Sequence, residues 1–188
     1  MLSPDRRLLA ATASDSTITL YDVATGQRRA QLPPDSSTEE PVVNSVVFSP
    51  DNRFIARGAY GSGVSVWSVA NGARVTHFEG TAVNFGPDSN TLVFGGINGG
   101  APSLRDLTTG RETALAGGAS AILDLALVDD GREVVAATEA GGARLWDLAT
   151  GVMVRAFQCA PNVQVESVTV SARQPLLVTS CRDGAVLL

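Results

Sequence analysis

A short phrase that ends in a glycine recurs four times along this chain and constrains its fold more than any other feature. The clearest copy, residues 143–151, reads ARLWDLATG. The other copies lie at 18–26, 64–72 and 102–110, so the closing glycines are 46, 38 and 41 residues apart. Self-similarity at such a period is typical of repeat architectures, in which each period is one small structural unit.

Each copy of the phrase joins a short strand to a polar turn. An Asp side chain at the start of the turn bonds to the backbone that follows, and the closing Gly accepts a positive φ. This role explains why the carboxylates recur at each repeat, so we predict that the repeated residues are structural and not catalytic. They are Tyr21, Asp22, Gly26, Trp67, Gly72, Asp106, Gly110, Trp146, Asp147 and Gly151.

The segments between these copies predict an all-β chain. Short β-branched runs are separated by Gly, Pro, Asp and Asn, and no helical period persists for more than about two turns. Each period accommodates four short strands. We therefore predict a single domain over residues 1–188, with repeats at approximately 2–41, 42–80, 81–118, 119–160 and 161–188.

The repeats resemble the WD-repeat family of β-propellers. The resemblance rests on Phe48-Ser49-Pro50-Asp51, on Phe85-Gly86-Pro87-Asp88, on Tyr21-Asp22, on Trp67 and on Trp146-Asp147. It implies radial four-stranded antiparallel blades, with Trp67 and Trp146 packed between neighbouring blades. The Gly-His pair of the family is missing, and the only histidine, His77, falls in an outer strand. The hydrogen-bonded Trp, Ser or Thr, His and Asp set of the family is therefore incomplete in every repeat.

The same alignment implies about three full and two partial blades in an open arc. Leu2 aligns with Phe48, and Leu188 aligns with the residue before Trp67. Three interpretations follow: a fragment of a larger propeller, two copies that pair edge to edge to complete a ring, or a small five-bladed ring. We favour the fragment, because repeat arrays need capped ends.

Charge and composition exclude several classes of function. The formal net charge is −5, all 14 basic residues are Arg, and no basic cluster occurs, which argues against nucleic acid or an anionic membrane as partner. No signal-peptide pattern or membrane-length apolar run is present, which predicts an intracellular protein, cytoplasmic or nuclear. Cys159 and Cys181 are expected to be small buried hydrophobic residues and not a disulfide or metal-ligand pair.

No catalytic, cofactor or metal motif is recognisable. A Ser-His-Asp arrangement would need His77, which has no supporting motif. The Gly-rich stretch 98–102 follows no phosphate-binding pattern and opens no helix. An enzyme that used the central channel would need polar residues on the inner strands, where Asn44, Asn84 and Asp124 are the exceptions.

We therefore expect a non-catalytic scaffold or adaptor that binds other proteins. Alternatives are a regulatory sensor segment of a larger signalling protein and, less favoured, a propeller enzyme. The acidic loop at the end of the first repeat contains Ser36 and Ser37, each three residues before a Glu; a kinase site is one interpretation, and a tolerated surface insertion is the favoured one. Candidate partner contacts are Asp35, Glu39, Glu40, Arg57, Tyr60, Arg105 and Arg182.

Overall fold

The residues that the structure describes form eighteen short strands in five antiparallel sheets. In the computed structural model, the described residues are 1–33, 42–96, 99–118, 120–158, 163–171 and 176–187. We call the five sheets blades 1 to 5 in chain order. The only helical segment described is a single 3₁₀ turn at Asp129–Gly131. The structure confirms the predicted all-β fold built from propeller-type blades.

Blades 1 and 5 each have three strands within the described part of the chain. Blade 1 contains β1 (Leu8–Thr12), β2 (Ile18–Asp22) and β3 (Arg28–Leu32), and an isolated bridge joins Leu2 to Leu9. Blade 5 contains β16 (Val165–Val170), β17 (Leu177–Cys181) and β18 (Val186–Leu187). Each sheet follows chain order, so every strand pairs with its neighbour in sequence.

Blades 2, 3 and 4 have four strands each. Blade 2 consists of β4 (Val42–Phe48), β5 (Phe54–Tyr60), β6 (Gly63–Ser68) and β7 (Arg74–Phe78). Blade 3 consists of β8 (Val83–Phe85), β9 (Thr91–Phe94), β10 (Ser103–Asp106) and β11 (Glu112–Ala114). Blade 4 consists of β12 (Ile122–Val128), β13 (Glu133–Thr138), β14 (Ala143–Asp147) and β15 (Met153–Phe157).

The backbone register repeats from blade to blade. The last ladder of three blades shifts at an aromatic residue: β2–β3 at Tyr21, β6–β7 at Trp67 and β14–β15 at Trp146. The aromatic residue therefore stands beside a bulge, which bends and twists the strand at that point. Blade 3 carries Arg105 at this position, where it pairs with Glu112.

The apolar core lies between blades and is divided into four clusters. Each cluster joins residues of one blade to residues of the next: blades 1 and 2, blades 2 and 3, blades 3 and 4, and blades 4 and 5. Middle strands such as β5 and β13 are consequently buried on both faces. No closed ring is formed by the described residues, in agreement with the predicted arc.

Candidate interaction surfaces

The repeated Asp residues fix the turns that follow the third strands. Asp147 Oδ1 accepts the backbone N–H of Thr150 at 2.7 Å and its hydroxyl at 2.8 Å. Asp22 and Asp106 make the same two bonds to Thr25 and Thr109. Hydrogen bonds from the Thr backbone and hydroxyl to the charged form lower the pKa of all three carboxyls. These carboxylates hold turns and are not arranged as general acids.

Both tryptophans are buried at blade boundaries. Trp146 is 0% exposed and packs with Val93 and Leu115 of blade 3, and its Nε1 donates to the Ala116 carbonyl at 2.8 Å. Trp67 also packs with the apolar residues of the preceding blade, here blade 1. In blades 2 and 4, the aromatic position of the repeat therefore joins the blade to the one before it.

Arg105 occupies the aromatic position in blade 3 and behaves as an interblade residue. Its guanidinium carbon lies 4.5 Å from the centroid of the Phe78 ring, on the outer strand of blade 2. Its Nη1 also forms an ion pair with Glu112, and 19% of its side chain is exposed. A cation over an aromatic face contributes to packing. Because so little of the Arg105 side chain is exposed, a partner protein could contact only a small part of it.

The remaining candidate contacts have three different outcomes. Tyr60 is 55% exposed at the end of β5, and Arg182 is exposed in the turn after β17, where its Nη1 donates to Gln164 Oε1 at 2.9 Å. Asp35, Glu39 and Glu40, with Ser36 and Ser37, lie outside the described residues. The prediction for Arg57 is wrong, because this residue is 0% exposed.

Arg57 is instead part of the boundary between blades 1 and 2. Its Nη1 donates to the Ser16 carbonyl at 2.7 Å, and its guanidinium carbon lies 5.4 Å from the Trp67 ring centroid. The middle strand of a blade is covered on both faces, so a charged residue there must find partners inside the protein. Arg57 is therefore a structural residue.

Polar residues of the inner strands tie neighbouring blades together. Asp124 Oδ2 accepts the Ser167 hydroxyl at 2.8 Å and the Val168 N–H at 3.1 Å, both in blade 5. Ser45 accepts the Val83 N–H at 2.9 Å across the boundary between blades 2 and 3. Burial raises the pKa of Asp124, and the bonds from blade 5 oppose that rise. Sequence reasoning did not identify this bridging position.

Asn84 of the inner strand β8 does not join Asp124 in a reaction centre. Asn84 Oδ1 accepts the N–H of its own neighbour, Phe85, at 2.9 Å. The side chain of Asn44 lies outside the described residues. No group of three His, Cys, Asp or Glu side chains that could hold a metal ion occurs among the residues described.

A depression of about 400 Å³ lies where the inner strands of four blades end. Asp129 and Asp130 lie at its edge with φ values of 49° and 51°, and Arg132 lies 3.7 Å from the Asp129 carboxylate. The depression is concave, and its lining is partly apolar and partly polar, which suits contact with another molecule. Its lining residues are Pro50, Phe85, Pro87, Leu127, Val128, Asp129, Asp130, Gly131, Val170 and Ser171.

Cys181 differs from expectation. It is buried, as predicted, but it is disulfide-bonded and not a free thiol. The other cysteine of the chain, Cys159, lies outside the described residues. Spacing alone could not reveal the bond, because two cysteines 22 residues apart match no disulfide framework.

Five antiparallel sheets, packed one on the next in chain order with a buried tryptophan at two of the boundaries, define a repeat protein of the β-propeller type. Residues 32–68 match the family model of the WD domain, G-beta repeat, which confirms the predicted resemblance to WD-repeat proteins. The matched stretch begins at the last residue of β3 and ends with β6. WD repeats typically bind other proteins and are typically non-catalytic. No curated protein matches the chain. No helix in the described part of the chain has the length and hydrophobicity to cross a bilayer.

Proposed function

We propose that this chain, as a single WD-repeat domain, is a non-catalytic scaffold or adaptor that presents a rigid surface to partner proteins. One observation carries the proposal: Tyr60 and Arg182 are both exposed, and they stand at equivalent positions of their blades. Tyr60 is the last residue of β5 and Arg182 is the first residue after β17, so both stand where the second strand of a blade leads into the third. Tyr and Arg are enriched among residues that dominate binding energy at protein interfaces.

The two exposed residues share one end of the blades. Inner strands of successive blades pack side by side, as β4 does with β8 and β12 does with β16. Because each sheet has the same strand order, the turns after β5 and β17 project from the same end. A partner that spans several blades can therefore contact Tyr60 and Arg182 together. Asp35, Glu39 and Glu40 remain proposed contacts of the same kind.

The inner-strand residues support a non-catalytic role. Asp124 is occupied by three hydrogen bonds, two of which come from blade 5 and the third from the Leu125 N–H at 2.9 Å. A general base needs a free lone pair directed at a substrate proton. Asp124, the most buried carboxylate of the inner strands, instead links blade 4 to blade 5 through these hydrogen bonds.

Quantitative affinity purification from the source organism tests the proposal. We expect the exchanges Tyr60→Ala and Arg182→Ala to reduce the recovery of specific partners by about tenfold, since hot-spot truncations cost roughly 2 kcal/mol or more. Val75→Ala is the matched control, because Val75 is also exposed but lies on the outer strand β7. Recovery that is equal for all four proteins would contradict the proposal.

Two further properties stay predictions. A homodimer that completes the ring would double the mass measured by light scattering, and a monomer mass would contradict it.

An intracellular location is opposed by the disulfide of Cys181, because disulfides persist mainly in oxidising compartments. Alkylation of freshly lysed cells tests this point: a free Cys181 thiol agrees with an intracellular location, and a thiol that reacts only after reduction contradicts it.

A further inference from the structure

Four blades form the depression of about 400 Å³ at one end of the inner strands. Its lining residues all lie between Pro50 and Ser171, at the ends of inner strands or in the turns that follow them. Because the second strand of each blade runs back from this turn, Tyr60 and Arg182 lie at the other end of the blades. The volume is within the range of ligand sites in proteins. The apolar lining residues are Pro50, Phe85, Pro87, Leu127, Val128 and Val170.

The turn between β12 and β13 of blade 4 supplies the acidic edge of this depression. In blade 2, the corresponding turn is closed by Ser49 and Phe54, where the Ser49 N–H donates to the Phe54 carbonyl at 2.9 Å. In blade 4, Val128 and Glu133 are paired across the turn. The two turns have equal length, so the blade 4 sequence VDD, residues 128–130, stands in place of the blade 2 sequence SPD.

The aspartate of the equivalent turn in blades 1, 2 and 3 is bound within that turn. Asp51 Oδ1 accepts the Ser49 hydroxyl at 2.7 Å and the Arg53 N–H at 3.0 Å. Asp5 makes the same two kinds of hydrogen bond in blade 1, at 2.7 and 3.1 Å. Asp88 of blade 3 accepts two backbone N–H groups of its own turn, at 3.0 and 2.8 Å. In these three blades the carboxylate therefore stabilises the turn.

Blade 4 departs from this arrangement. Val128 has no hydroxyl group to donate, and Asp129 takes the place of the proline. Asp129 and Asp130 have φ values of 49° and 51°, a region that the pyrrolidine ring closes to proline. The Asp130 carboxylate has no hydrogen bond or ion pair with the described residues. Asp129 forms an ion pair with Arg132 at 3.7 Å, in which both side chains are more than half exposed. Since exposed ion pairs contribute little, both carboxylates are able to accept another cation.

Packing holds the acidic turn at the edge of the depression. A Cβ on Gly131 would lie 2.6 Å from the Pro87 Cδ, so the turn rests directly on blade 3. Arg132 is not among the residues that line the depression, and no other basic residue is. Two negative charges thus stand beside an apolar lining. Arg and Lys side chains carry a cation on an aliphatic stem, so they complement both parts of this surface.

We propose that this depression binds a segment of a partner protein that presents an arginine or a lysine beside apolar residues. The cationic group pairs with Asp129 and Asp130, and the aliphatic stem and its apolar neighbours lie against the apolar lining. Charge complementarity of this kind gives an interface specificity and a fast association rate. The site adds a second surface to the proposed scaffold role. It does not involve Tyr60 or Arg182, so the two proposals can fail separately.

A phage-displayed library of random peptides is the probe for this site. Peptides are selected on the intact 188-residue chain. Counter-selection on the double variant Asp129→Asn, Asp130→Asn removes the peptides that bind elsewhere. We expect the remaining peptides to carry Arg or Lys next to apolar residues. Remaining peptides without a basic residue, or no peptide specific to the parent chain, would overturn the proposal.

Fluorescence anisotropy with a selected peptide locates the binding. The double variant should bind the peptide at least about tenfold more weakly than the parent chain, because it lacks both charges. Pro50→Arg places a cation in the depression and should also weaken binding, so the test survives if one variant fails to fold. Unchanged binding in a folded double variant would overturn the proposal. So would self-association that the double variant abolishes, since a second copy would then fill the depression.

Two control variants complete the test. Glu139→Gln removes the charge of an exposed acidic residue in the turn between β13 and β14, at the other end of blade 4. Tyr60→Ala alters the surface proposed above. Both controls should bind the selected peptide as the parent chain does. Loss of binding in either control would overturn the placement of the peptide in the depression.

Discussion

The indole Nε1 of Trp146 donates to the backbone carbonyl of Ala116, 2.8 Å away, across the boundary between blades 3 and 4. The bond is made by a side chain that is 0% exposed and enclosed by apolar residues of both blades. Trp146 thus contributes both apolar packing and a hydrogen bond to the contact between two repeats. Repeat proteins derive their stability from such contacts between nearest neighbours.

The first prediction separates these two contributions. Trp146→Phe retains most of the apolar contact but loses the hydrogen bond, so it should lower the free energy of unfolding by about 1–2 kcal/mol. Trp146→Ala should lower it by about 3–5 kcal/mol, because it also leaves a cavity. Urea unfolding followed by circular dichroism measures both values. Tyr60→Ala, at an exposed position, should stay within about 0.5 kcal/mol of the parent chain. Equal effects of the Trp146 and Tyr60 substitutions would refute the buried placement of Trp146.

The second prediction concerns the close approach of blades 3 and 4 at Gly95. A Cβ at this position would lie 2.5 Å from the Ile122 Cβ and 2.7 Å from its Cγ2. Gly95→Ala should therefore force the blades apart and cost about 1–3 kcal/mol. Gly96→Ala is the matched control, since its nearest neighbour would be 3.8 Å away. Thermal melts of the two variants should differ clearly, and coincident melts would show that the blades are not in contact there.

The third prediction concerns the dependence of stability on pH, to which the carboxyls of Asp147 and Asp124 contribute. Hydrogen bonds from Thr150 lower the pKa of Asp147 below its ordinary value of 3.8, so its contribution to stability is present above that value and is lost as the pH falls through the folded-state pKa. Burial raises the pKa of Asp124, so the contribution of Asp124 is present below the ordinary value and is lost as the pH rises through the raised pKa. As the pH rises, the two carboxyls therefore change the free energy of unfolding in opposite directions.

Urea unfolding at pH 3 and pH 7 tests these signs. The parent chain should be less stable at pH 3, because Asp22 and Asp106 behave like Asp147. Asp147→Asn should reduce the difference between the two pH values, and Asp124→Asn should increase it. Changes of the same sign in both variants would show that the environments of these carboxyls are not as described.

Much of this fold could be predicted from the sequence because the repeat carries its own alignment. The phrase around Trp146 predicted a third strand, a turn held by Asp147 and a wedge between blades, and the structure shows all three features. Periodic turn chemistry is local, so it can be read from neighbouring residues. The predicted family resemblance depended on the same local signals.

The features that could not be predicted from the sequence depend on contacts between blades. Arg57 looked like a surface residue because it is charged, yet β5 is enclosed by blades on both sides. Its position in a strand flanked by two repeats was the signal that could have indicated burial. Asp124 acts through Ser167 and Val168, which lie more than 40 residues away in sequence.

The most direct test of the central structural claim is the fluorescence of the native chain. The chain has two tryptophans, and both are enclosed at blade boundaries. We predict blue-shifted emission and strong resistance to acrylamide quenching, both of which should be lost together on unfolding in urea. Emission and quenching in the native chain that already match the urea-unfolded chain would contradict the packing of one blade on the next.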